Sequence, residues 1–370
     1  MNILILGGTG AMGKPTAEIL IRRGNRVTVT TRKERKSNDI IYVTGDAHDT
    51  DFLRNILKEH YDAIVDFLVY NTPSEFEERA RLLLSNTEQY IFLSSARIYS
   101  DNGCSLITEE HPRLLDVCSD QNYLKTDEYA LAKARCENVL KESGYQNYTI
   151  VRPYITYNDE RMQLGVFEKE TWLRRALKGK KIVFSKDLSS KYTTMTYGMD
   201  VALRIADLIG KKETLGEIYT IAAKYHLRWG EVLDIYLKAL EKLTGKKADV
   251  TLIDSCGQIT EKGNYYQTYY DRMYDRCFDN SKIENAIHSE KSYTDPAEGL
   301  QRCLNQFLES GAHFQSINWK REALLDRQSK DKEHIRNIPG EKNKIKYVII
   351  RYFPEFIWGK KVYHQMTTAK

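Results

Sequence analysis

Short apolar runs alternate with amphipathic segments along the first half of the chain. Runs rich in apolar and β-branched residues, typical of buried strands, occupy positions 3–6, 27–31, 40–44, 62–69 and 89–95. Segments with apolar residues at helical spacing lie between them, at 14–24, 50–60 and 74–85. This alternation is typical of parallel strands joined by crossover helices. It predicts an α/β fold built on a doubly wound parallel sheet.

Three glycines at three-residue spacing follow the first apolar run, and a helical segment follows them. In such a unit Gly7 permits the tight turn, Gly10 lets the backbone approach a pyrophosphate, and Gly13 allows close packing of helix on strand. The helix N-terminus offers N–H groups to the phosphates. We therefore predict a Rossmann-type sheet whose turn binds NAD or NADP, through Gly7, Thr9, Gly10, Ala11, Met12 and Gly13.

The end of the second run bears on which dinucleotide is bound. NAD sites of this type usually carry an acid there for the ribose 2′-hydroxyl, whereas NADP sites carry arginine. Here Arg32 follows the run, with Lys33, Arg35 and Lys36 close behind. We expect Arg32 to bind a 2′-phosphate, which favours NADP slightly, although a solvated basic turn has the same pattern. Asp46 is expected to accept a hydrogen bond from adenine or to cap the next helix.

A serine-terminated strand and a Tyr-x-x-x-Lys pair form a second recognisable element. The fifth run ends in Ser94-Ser95, and a helical segment at 127–142 carries Tyr129 and Lys133 on one face. With the glycine turn, this pattern resembles the extended short-chain dehydrogenase/reductase superfamily, in its nucleotide-sugar epimerase/dehydratase branch. The resemblance covers roughly residues 1–310 and includes the stretches 107–112, 151–153, 200–202, 280–282 and 298–300. Residues 58–99 also resemble a divergent subgroup that includes chloroplast RNA-binding relatives.

The resemblance implies a role for each residue of this set. Ser95 would be the catalytic serine, Tyr129 the acid/base, and Lys133 its partner and a ligand of the cofactor ribose. Hydride transfer at a carbinol needs a group that takes or returns the hydroxyl proton. A free tyrosine is a poor base at neutral pH, and a neighbouring ammonium and an oxidised nicotinamide favour the phenolate. The Ser95 hydroxyl can hold the substrate oxygen as charge develops.

Two departures from the family pattern concern the substrate. Sugar 4,6-dehydratases of this branch usually carry Asp-Glu after the catalytic serine or threonine, where this chain has Ala96-Arg97. Many relatives place an arginine shortly before the segment at 200–202 for the nucleotide diphosphate, where this chain has Thr193 and Thr194. We therefore expect no dehydratase reaction, and the identity of the sugar nucleotide stays open.

The later part of the chain suggests a second lobe and a tail. We predict a dinucleotide-binding domain at 1–157 that is rejoined by 193–223, a smaller α/β substrate lobe at 158–192 and 224–325, and a basic, aromatic tail at 326–370. Candidate phosphate or base contacts, each with a structural role as the favoured alternative, are Arg161, Trp172, Lys191 and Arg228. Tyrosines 265, 266, 269, 270 and 274 are expected to form an aromatic core stripe, with base stacking as the alternative.

The two parts of the tail differ in composition. Residues 326–346 are charged and are expected to form a linker or a solvated helix. Residues 345–363 mix aromatic, apolar and basic side chains and contain Pro354, which would interrupt a continuous helix. We expect two short segments docked on the body or on a neighbouring subunit, with peripheral contact to an anionic membrane as the alternative.

Composition narrows the class of protein. The 370 residues are 41% hydrophobic and 29% charged, as in ordinary globular proteins. The six cysteines form no CxxC pair, the eight histidines form no HExxH motif, and no signal peptide or membrane span is recognised. We expect a cytoplasmic protein with free thiols and no zinc. The net charge of +5 equals that of residues 341–370, which leaves a near-neutral body and argues against a nucleic-acid partner.

One main hypothesis and two alternatives result. We predict an NAD(P)-dependent oxidoreductase or epimerase that acts on a nucleotide-linked sugar by hydride transfer, with Ser95, Tyr129 and Lys133 as the catalytic set. The alternatives are an NADPH-dependent 4-keto sugar reductase and a non-catalytic RNA-binding or scaffold relative of the same fold. The resemblance also implies a homodimer that pairs through the helix carrying Tyr129.

Overall fold

The chain divides into two compact units. The computed structural model describes residues 1–70, 72–103, 105–288 and 292–353. Unit 1 comprises 1–161, 192–227 and 274–300, and unit 2 comprises 162–191, 228–273 and the residues from 301 onward. Residues 274–300, predicted in the substrate lobe, group with unit 1, and the described part of the predicted tail groups with unit 2. The other bounds lie within four residues of the predicted ones.

The strands follow the predicted runs closely in the first half of the chain. Their bounds are β1 (Asn2–Leu6), β2 (Arg26–Thr31), β3 (Ile41–Thr44), β4 (Tyr61–Asp66), β5 (Thr87–Leu93), β6 (Tyr148–Pro153), β7 (Thr156–Tyr157), β8 (Gln163–Leu164), β9 (Phe167–Glu168), β10 (Ile182–Ser185), β11 (Tyr192–Thr193), β12 (Thr196–Tyr197), β13 (Ile218–Ile221), β14 (Leu227–Arg228) and β15 (Val250–Ile253).

Helices lie between the strands and dominate the end of the described chain. Their bounds are α1 (Gly13–Arg22), α2 (Thr50–Ile56), α3 (Pro73–Leu84), α4 (Leu114–Val117), α5 (Gln121–Leu124), α6 (Tyr129–Glu142), α7 (Trp172–Leu177), α8 (Lys186–Ser189), α9 (Gly198–Leu208), α10 (Trp229–Thr244), α11 (Tyr265–Gln267), α12 (Ser281–Ile287), α13 (Pro296–Glu309), α14 (Trp319–Ser329) and α15 (Glu341–Tyr352). None of these helices is both long and apolar enough to span a bilayer.

Unit 1 is built on a seven-stranded sheet in the order β13-β6-β5-β4-β1-β2-β3. All six pairings in this sheet are parallel, and Ile3 of β1 lies opposite Val27 on one side and Ala63 on the other. The chain runs outward from β1 to β3 and then returns to the opposite side of β1 at β4. This reversal places a crevice at the carboxyl ends of β1 and β4, where doubly wound sheets bind ligands. The predicted fold class is confirmed.

Both faces of this sheet are covered by helices. Alternate residues of β1 point to opposite faces, and Ile3 and Leu4 are equally buried. One face packs on α1, α9 and α12, and the other packs on α2, α3 and α6. A strand buried on both sides needs an uninterrupted apolar sequence, which is why the first run reads as four consecutive aliphatic residues.

Unit 2 has a small core of its own. Strands β10 and β15 pair in parallel, and β8 and β9 form an antiparallel pair. The rings of Trp172 and Tyr236 lie 4.2 Å apart between centroids, and the Trp172 indole donates a hydrogen bond to the Met162 carbonyl. Trp172 is therefore a core residue, and the alternative that it contacts a phosphate or base is wrong.

Residues 326–346 are a linker or a solvated helix only in part. They contain the end of α14 and the start of α15, and these helices pack on each other through Trp319, Ala323, Tyr347 and Ile350. Asp326 is fully buried and accepts a hydrogen bond from the Tyr347 hydroxyl at 2.5 Å. The expectation failed for Asp326 because it pairs with Arg175 of α7 and with Lys180 and so is removed from water, whereas Lys342 and Lys346 stay exposed.

Candidate cofactor and active site

The turn after β1 is shaped by glycine backbone geometry. Gly7 has a φ of +66°, a left-handed conformation that side chains other than glycine rarely adopt. At Gly13 a Cβ atom would lie 2.6 Å from the Gly8 Cα, closer than van der Waals contact allows. Close approach of α1 to the turn therefore requires glycine at position 13, as the spacing predicts.

The same turn is open toward solvent where a pyrophosphate would lie. A Cβ atom at Gly10 would meet no other atom within 4 Å, and Gly10 is exposed. Helix α1 begins at Gly13 with no side-chain cap and no acid in its first turn. Its N-terminal N–H groups and positive dipole end therefore suit an anion. The residues present fit a dinucleotide, with Thr9, Ala11 and Met12 half-buried around the open glycine.

The basic turn after β2 is exposed. Arg32, Lys33 and Arg35 make no ion pair within the described residues, and Lys36 lies 3.9 Å from Glu34. The Thr31 hydroxyl donates to the Lys33 carbonyl at 2.9 Å, which holds the start of the turn. This geometry leaves the Arg32 guanidinium available to an anion, and its preference for a 2′-phosphate remains a prediction.

Asp46 does not cap the following helix. Its carboxylate accepts the His48 N–H at 3.0 Å, and the N-cap of α2 is Asp49, which accepts from the N–H groups of Asp51 and Phe52. The capping alternative for Asp46 is therefore wrong, because the helix begins one residue after Asp49. Asp46 is exposed, and its adenine contact remains a prediction.

Lys133 is a buried cation at the carboxyl ends of two adjacent strands. Its ammonium donates to the Leu93 carbonyl, the last of β5, at 2.6 Å and to the Leu68 carbonyl, just after β4, at 3.2 Å. A lysine ammonium has three N–H donors, so one remains for a further acceptor. Lys133 lies one helical turn after Tyr129 on α6.

Ser95 follows β5 and starts a short 3-10 turn at Ala96–Ile98. Its side-chain oxygen accepts the Arg97 N–H at 3.2 Å, which leaves the hydroxyl proton available to a substrate oxygen. The neighbouring Ser94 donates to Glu137 at 2.6 Å. Ser95 is almost completely buried in the structure, so any group that reaches it is removed from bulk water.

Tyr129 is the first residue of α6 and is half-buried. The Arg97 guanidinium lies 5.1 Å from the centroid of its ring and donates to Glu128 at 2.6 Å. A cation–π contact at this distance is attractive. Arg97 therefore links the turn at Ser95 to the start of α6, so that Ser95, Tyr129 and Lys133 lie at the same edge of the sheet.

A buried salt bridge supports the Ser94-Ser95 strand end, and sequence analysis missed it. Glu137 on α6 accepts from Arg152 of β6 at 2.9 and 2.7 Å, in addition to its bond from Ser94. Burial by itself would raise the pKa of Glu137, but the Arg152 charge and the hydrogen bonds outweigh it and lower the pKa. In the sequence, the one indication of this role is that Glu137 lies one helical turn after Lys133 on the same helix.

Asp66, at the end of β4, is a second buried charge that sequence analysis missed. Its carboxylate accepts from the Tyr70 and Tyr90 hydroxyls at 2.6 and 2.7 Å and from the Leu68 N–H at 2.8 Å. Burial raises the pKa of Asp66, although the hydrogen bonds act against it. Because Leu68 also holds Lys133, Asp66 orders the backbone beside the ammonium. An acid that ends an apolar run was the only signal.

The predicted substrate contacts vary in their surroundings. Arg161 and Arg228 are exposed, and Lys191 is half-buried. Thr193 and Thr194 are buried, and Thr194 donates to the carbonyl of Arg276, whose side chain in turn donates to the Tyr99 and Ser100 carbonyls. Sequence analysis did not single out Arg276, a fully buried cation.

The tyrosine cluster of unit 2 is not a core stripe throughout. Tyr265 and Tyr269 are exposed, with ring centroids 4.5 Å apart, and Tyr266 and Tyr270 are half-buried. The core expectation is wrong for the first pair. The reason is local, because α11 gives way at Thr268 to a π-helical turn, so a regular helical spacing does not hold.

The comparisons with known proteins agree with this geometry. Residues 7–182 match a family model described as NAD(P)H-binding. The chloroplast stem-loop binding protein of 41 kDa b from Arabidopsis thaliana is 24% identical over 255 residues, which are 64% of this chain and 63% of the relative. The match thus spans less than two thirds of that relative's length.

Solved structures of nucleotide-sugar enzymes share the fold. The dTDP-glucose 4,6-dehydratase of Bacillus anthracis, solved with NAD, has a TM-score of 0.65 at 18% identity, over 85% of this chain and 98% of that one. The UDP-glucuronic acid 4-epimerase of Bacillus cereus, solved with UDP-glucuronic acid and NAD, has a TM-score of 0.63 at 15% identity, over 84% and 99%. Residues 7–182 thus match an NAD(P)H-binding family model, and the chain shares the fold of these nucleotide-sugar enzymes, in agreement with the resemblance of its motifs.

Proposed function

We propose that this chain is an NAD(P)-dependent oxidoreductase or epimerase that acts on a nucleotide-linked sugar by hydride transfer. The observation that carries the proposal is the Lys133 ammonium. Two backbone carbonyls hold it at the ends of β4 and β5, with one N–H donor left over, one helical turn from Tyr129. This arrangement suits a ribose hydroxyl and a phenol beside it. The relatives of known structure that were solved with NAD support the cofactor class.

The residues of the site divide the chemistry among them. Bound NAD or NADP supplies the hydride acceptor. The Ser95 hydroxyl donates to the substrate oxygen and stabilises the charge that develops there. The Tyr129 phenol oxygen takes the proton of the substrate hydroxyl in oxidation and returns it in reduction. The Lys133 ammonium binds a hydroxyl of the cofactor ribose through its remaining N–H donor.

Arg97 bears on the choice among reactions of this family. Elimination of water from a sugar needs an acid and a base beside the ketone, and the resemblance places Asp-Glu directly after the catalytic serine in dehydratases. Here Arg97 lies over the Tyr129 ring and pairs with Glu128. A cation at this position supports epimerisation or keto reduction over dehydration. An epimerase retains its cofactor between turnovers, so co-elution of NAD(P) with the purified protein would favour it over a reductase.

Tyr129→Phe tests the catalytic set. We expect turnover on the active nucleotide sugar to fall by about 100-fold or more, because only the proton path is lost, while cofactor affinity is unchanged. A panel of UDP- and dTDP-sugars with NAD and NADP identifies the substrate first. Tyr145→Phe, at an exposed position outside the site, is the matched control. Activity of Tyr129→Phe within about threefold of wild type would remove Tyr129 from the acid/base role.

Binding of structured RNA is a second candidate function. The Arabidopsis relative is named for stem-loop binding. Unit 1 contains 27 Lys/Arg and 34 Asp/Glu, whereas unit 2 contains 26 and 16 up to residue 353. The near-neutral body is therefore the sum of an acidic and a basic unit, and it does not argue against nucleic acid.

A basic cavity in unit 2 offers a test of this candidate. The cavity of about 400 Å³ is lined by Asp249 and by four lysines, of which Lys178 and Lys180 are paired with acids and Lys246 and Lys247 are exposed. Fluorescence anisotropy with a stem-loop RNA measures binding, and Lys246→Glu with Lys247→Glu should weaken it. RNA binding together with no turnover on any nucleotide sugar would favour this candidate.

A further inference from the structure

Helix α15 has two apolar faces, and only one of them is covered. Tyr347 and Ile350 are buried against α14. The opposite side carries Ile345, Ile349 and Tyr352 at 58%, 38% and 50% exposure, and Phe353 follows at 52%. The spacing of four, seven and eight residues places these side chains in one stripe along the helix. We call Ile345, Ile349, Tyr352 and Phe353 the exposed stripe.

Cations border the exposed stripe. Lys342 and Lys346 are exposed beside it and make no ion pair within the described residues. Lys344 and Arg351 lie on the other flank of the helix, and Lys344 is paired with Glu341, the only acid of α15. An apolar stripe with lysine on its edges is the pattern of helices that lie in the interface of a bilayer.

The sequence that follows α15 has the same chemistry. Residues 354–363 contain Phe356, Ile357, Trp358, Lys360 and Lys361. They lie outside the described residues, so their predicted docking and the effect of Pro354 stay predictions. Their composition is likewise apolar and basic, with Glu355 as the one acid of this segment.

We propose that α15 is a peripheral membrane-binding element, with the exposed stripe in the interface of a bilayer and the lysines on its anionic headgroups. Charge complementarity favours this occupant over a second copy of the chain. A two-fold contact through the stripe would set this net positive helix against the same helix of the second copy, with no acidic partner for Lys342 and Lys346. Four side chains also cover much less than the roughly 800 Å² per partner of a stable interface. An RNA partner would explain the lysines and would leave the exposed stripe unexplained.

Vesicle co-sedimentation of the full chain tests the proposal. We expect binding to phosphatidylcholine vesicles that contain phosphatidylserine, little binding to phosphatidylcholine alone, and weaker binding as salt rises. Ile345→Glu and Ile349→Glu should each lower the binding by about tenfold or more. The matched control is Leu252→Glu, because Leu252 of β15 is an equally exposed apolar residue of unit 2, at 54%. That variant should bind as wild type does.

Two double variants test whether binding depends on where the lysines lie or only on how many the protein has. Lys342→Glu with Lys346→Glu should abolish binding to anionic vesicles, whereas Lys238→Glu with Lys242→Glu, on exposed positions of α10, should leave most of it. Unchanged thermal melting of each variant shows that it has folded, since the substituted side chains are exposed.

Three outcomes would overturn the proposal. These are no binding to anionic vesicles, equal binding of wild type and the Ile345→Glu and Ile349→Glu variants, or a dimer in light scattering that Ile349→Glu dissociates without any vesicle binding. Turnover on nucleotide sugars is not a readout here, so the membrane proposal and the proposed function can fail separately.

Discussion

At the residue scale, Gly10 and Gly13 differ in their surroundings, as their different roles in the glycine motif predict. Gly13 lies against the Gly8 backbone, and Gly10 faces open space. The structure thus separates a glycine that the fold requires from one that only a bound ligand would require.

We predict that alanine at position 13 affects stability, whereas alanine at position 10 affects dinucleotide binding. Gly13→Ala should lower the stability by about 1–3 kcal/mol, because the added methyl group overlaps the Gly8 backbone. Gly10→Ala should melt as wild type does and lose dinucleotide affinity, because its methyl group occupies the space of the pyrophosphate. Thermal denaturation and fluorescence titration with NADH and NADPH measure the two effects. Wild-type dinucleotide affinity in Gly10→Ala would contradict the assignment of the turn.

The Glu137–Arg152 pair supports a prediction about stability and pH. Glu137→Gln leaves the Arg152 charge buried and unpaired, so we expect a loss of about 3–5 kcal/mol at pH 7. The folded-state pKa of Glu137 lies below its unfolded value. Its stabilising contribution is therefore present above the unfolded pKa, near 4.3, and is lost as the pH falls through the folded pKa.

Urea denaturation between pH 7 and pH 3 measures this contribution. The difference in stability between wild type and Glu137→Gln should shrink as the pH falls below about 4. Glu142→Gln, at an exposed position of the same helix, is the control and should change little at any pH. A difference that stays constant down to pH 3 would show that the carboxylate charge is not what stabilises the fold.

At the element scale, two connections between elements of the sheet offer groups that suit a dinucleotide. The turn from β1 to α1 offers backbone N–H groups, and the turn from β2 to β3 offers exposed cations. Both follow the carboxyl ends of neighbouring parallel strands, so they lie at the same edge of the sheet. A dinucleotide bound at the β1–α1 turn would therefore be attracted by the exposed cations of the β2–β3 turn.

We predict that Arg32→Ala weakens NADPH binding by about tenfold and changes NADH binding little, because the guanidinium would pair with the 2′-phosphate. Lys36→Ala, at another exposed cation of the same turn, is the matched control. Calorimetric titration of both cofactors into the three proteins measures the effect. Equal affinities of wild type for NADPH and NADH would count against a 2′-phosphate site.

At the scale of the whole molecule, oligomeric state stays a prediction. We expect a homodimer that pairs through α6, an expectation that rests on the family resemblance. The inward face of α6 is buried in its own unit, and the side chains left at the surface include Arg135, Asn138 and Glu142. Light scattering at micromolar concentration measures the state, and Asn138→Asp should weaken a dimer if this face forms the interface. A monomer would exclude the pairing.

The sequence by itself determined the order of the elements, the parallel sheet and the glycine turn. These features are local, because the periodicity of apolar residues and the spacing of glycines are set within a few positions along the chain. The Ser-Tyr-Lys set was visible for the same reason, as a strand end and a single helical turn.

Only the tertiary structure decided which charges are buried and which apolar faces are exposed. Glu137 pairs with Arg152, 15 residues away along the chain, and Asp66 bonds to Tyr90, 24 residues away. No local sequence pattern indicates either partner. The same holds for α15, whose buried face depends on α14. The charge of the two units was hidden because unit 2 is assembled from separate stretches of the chain, so its excess of cations is diluted along the sequence. Burial and charge density depend on which distant residues meet in space, and periodicity along the chain carries no information about that.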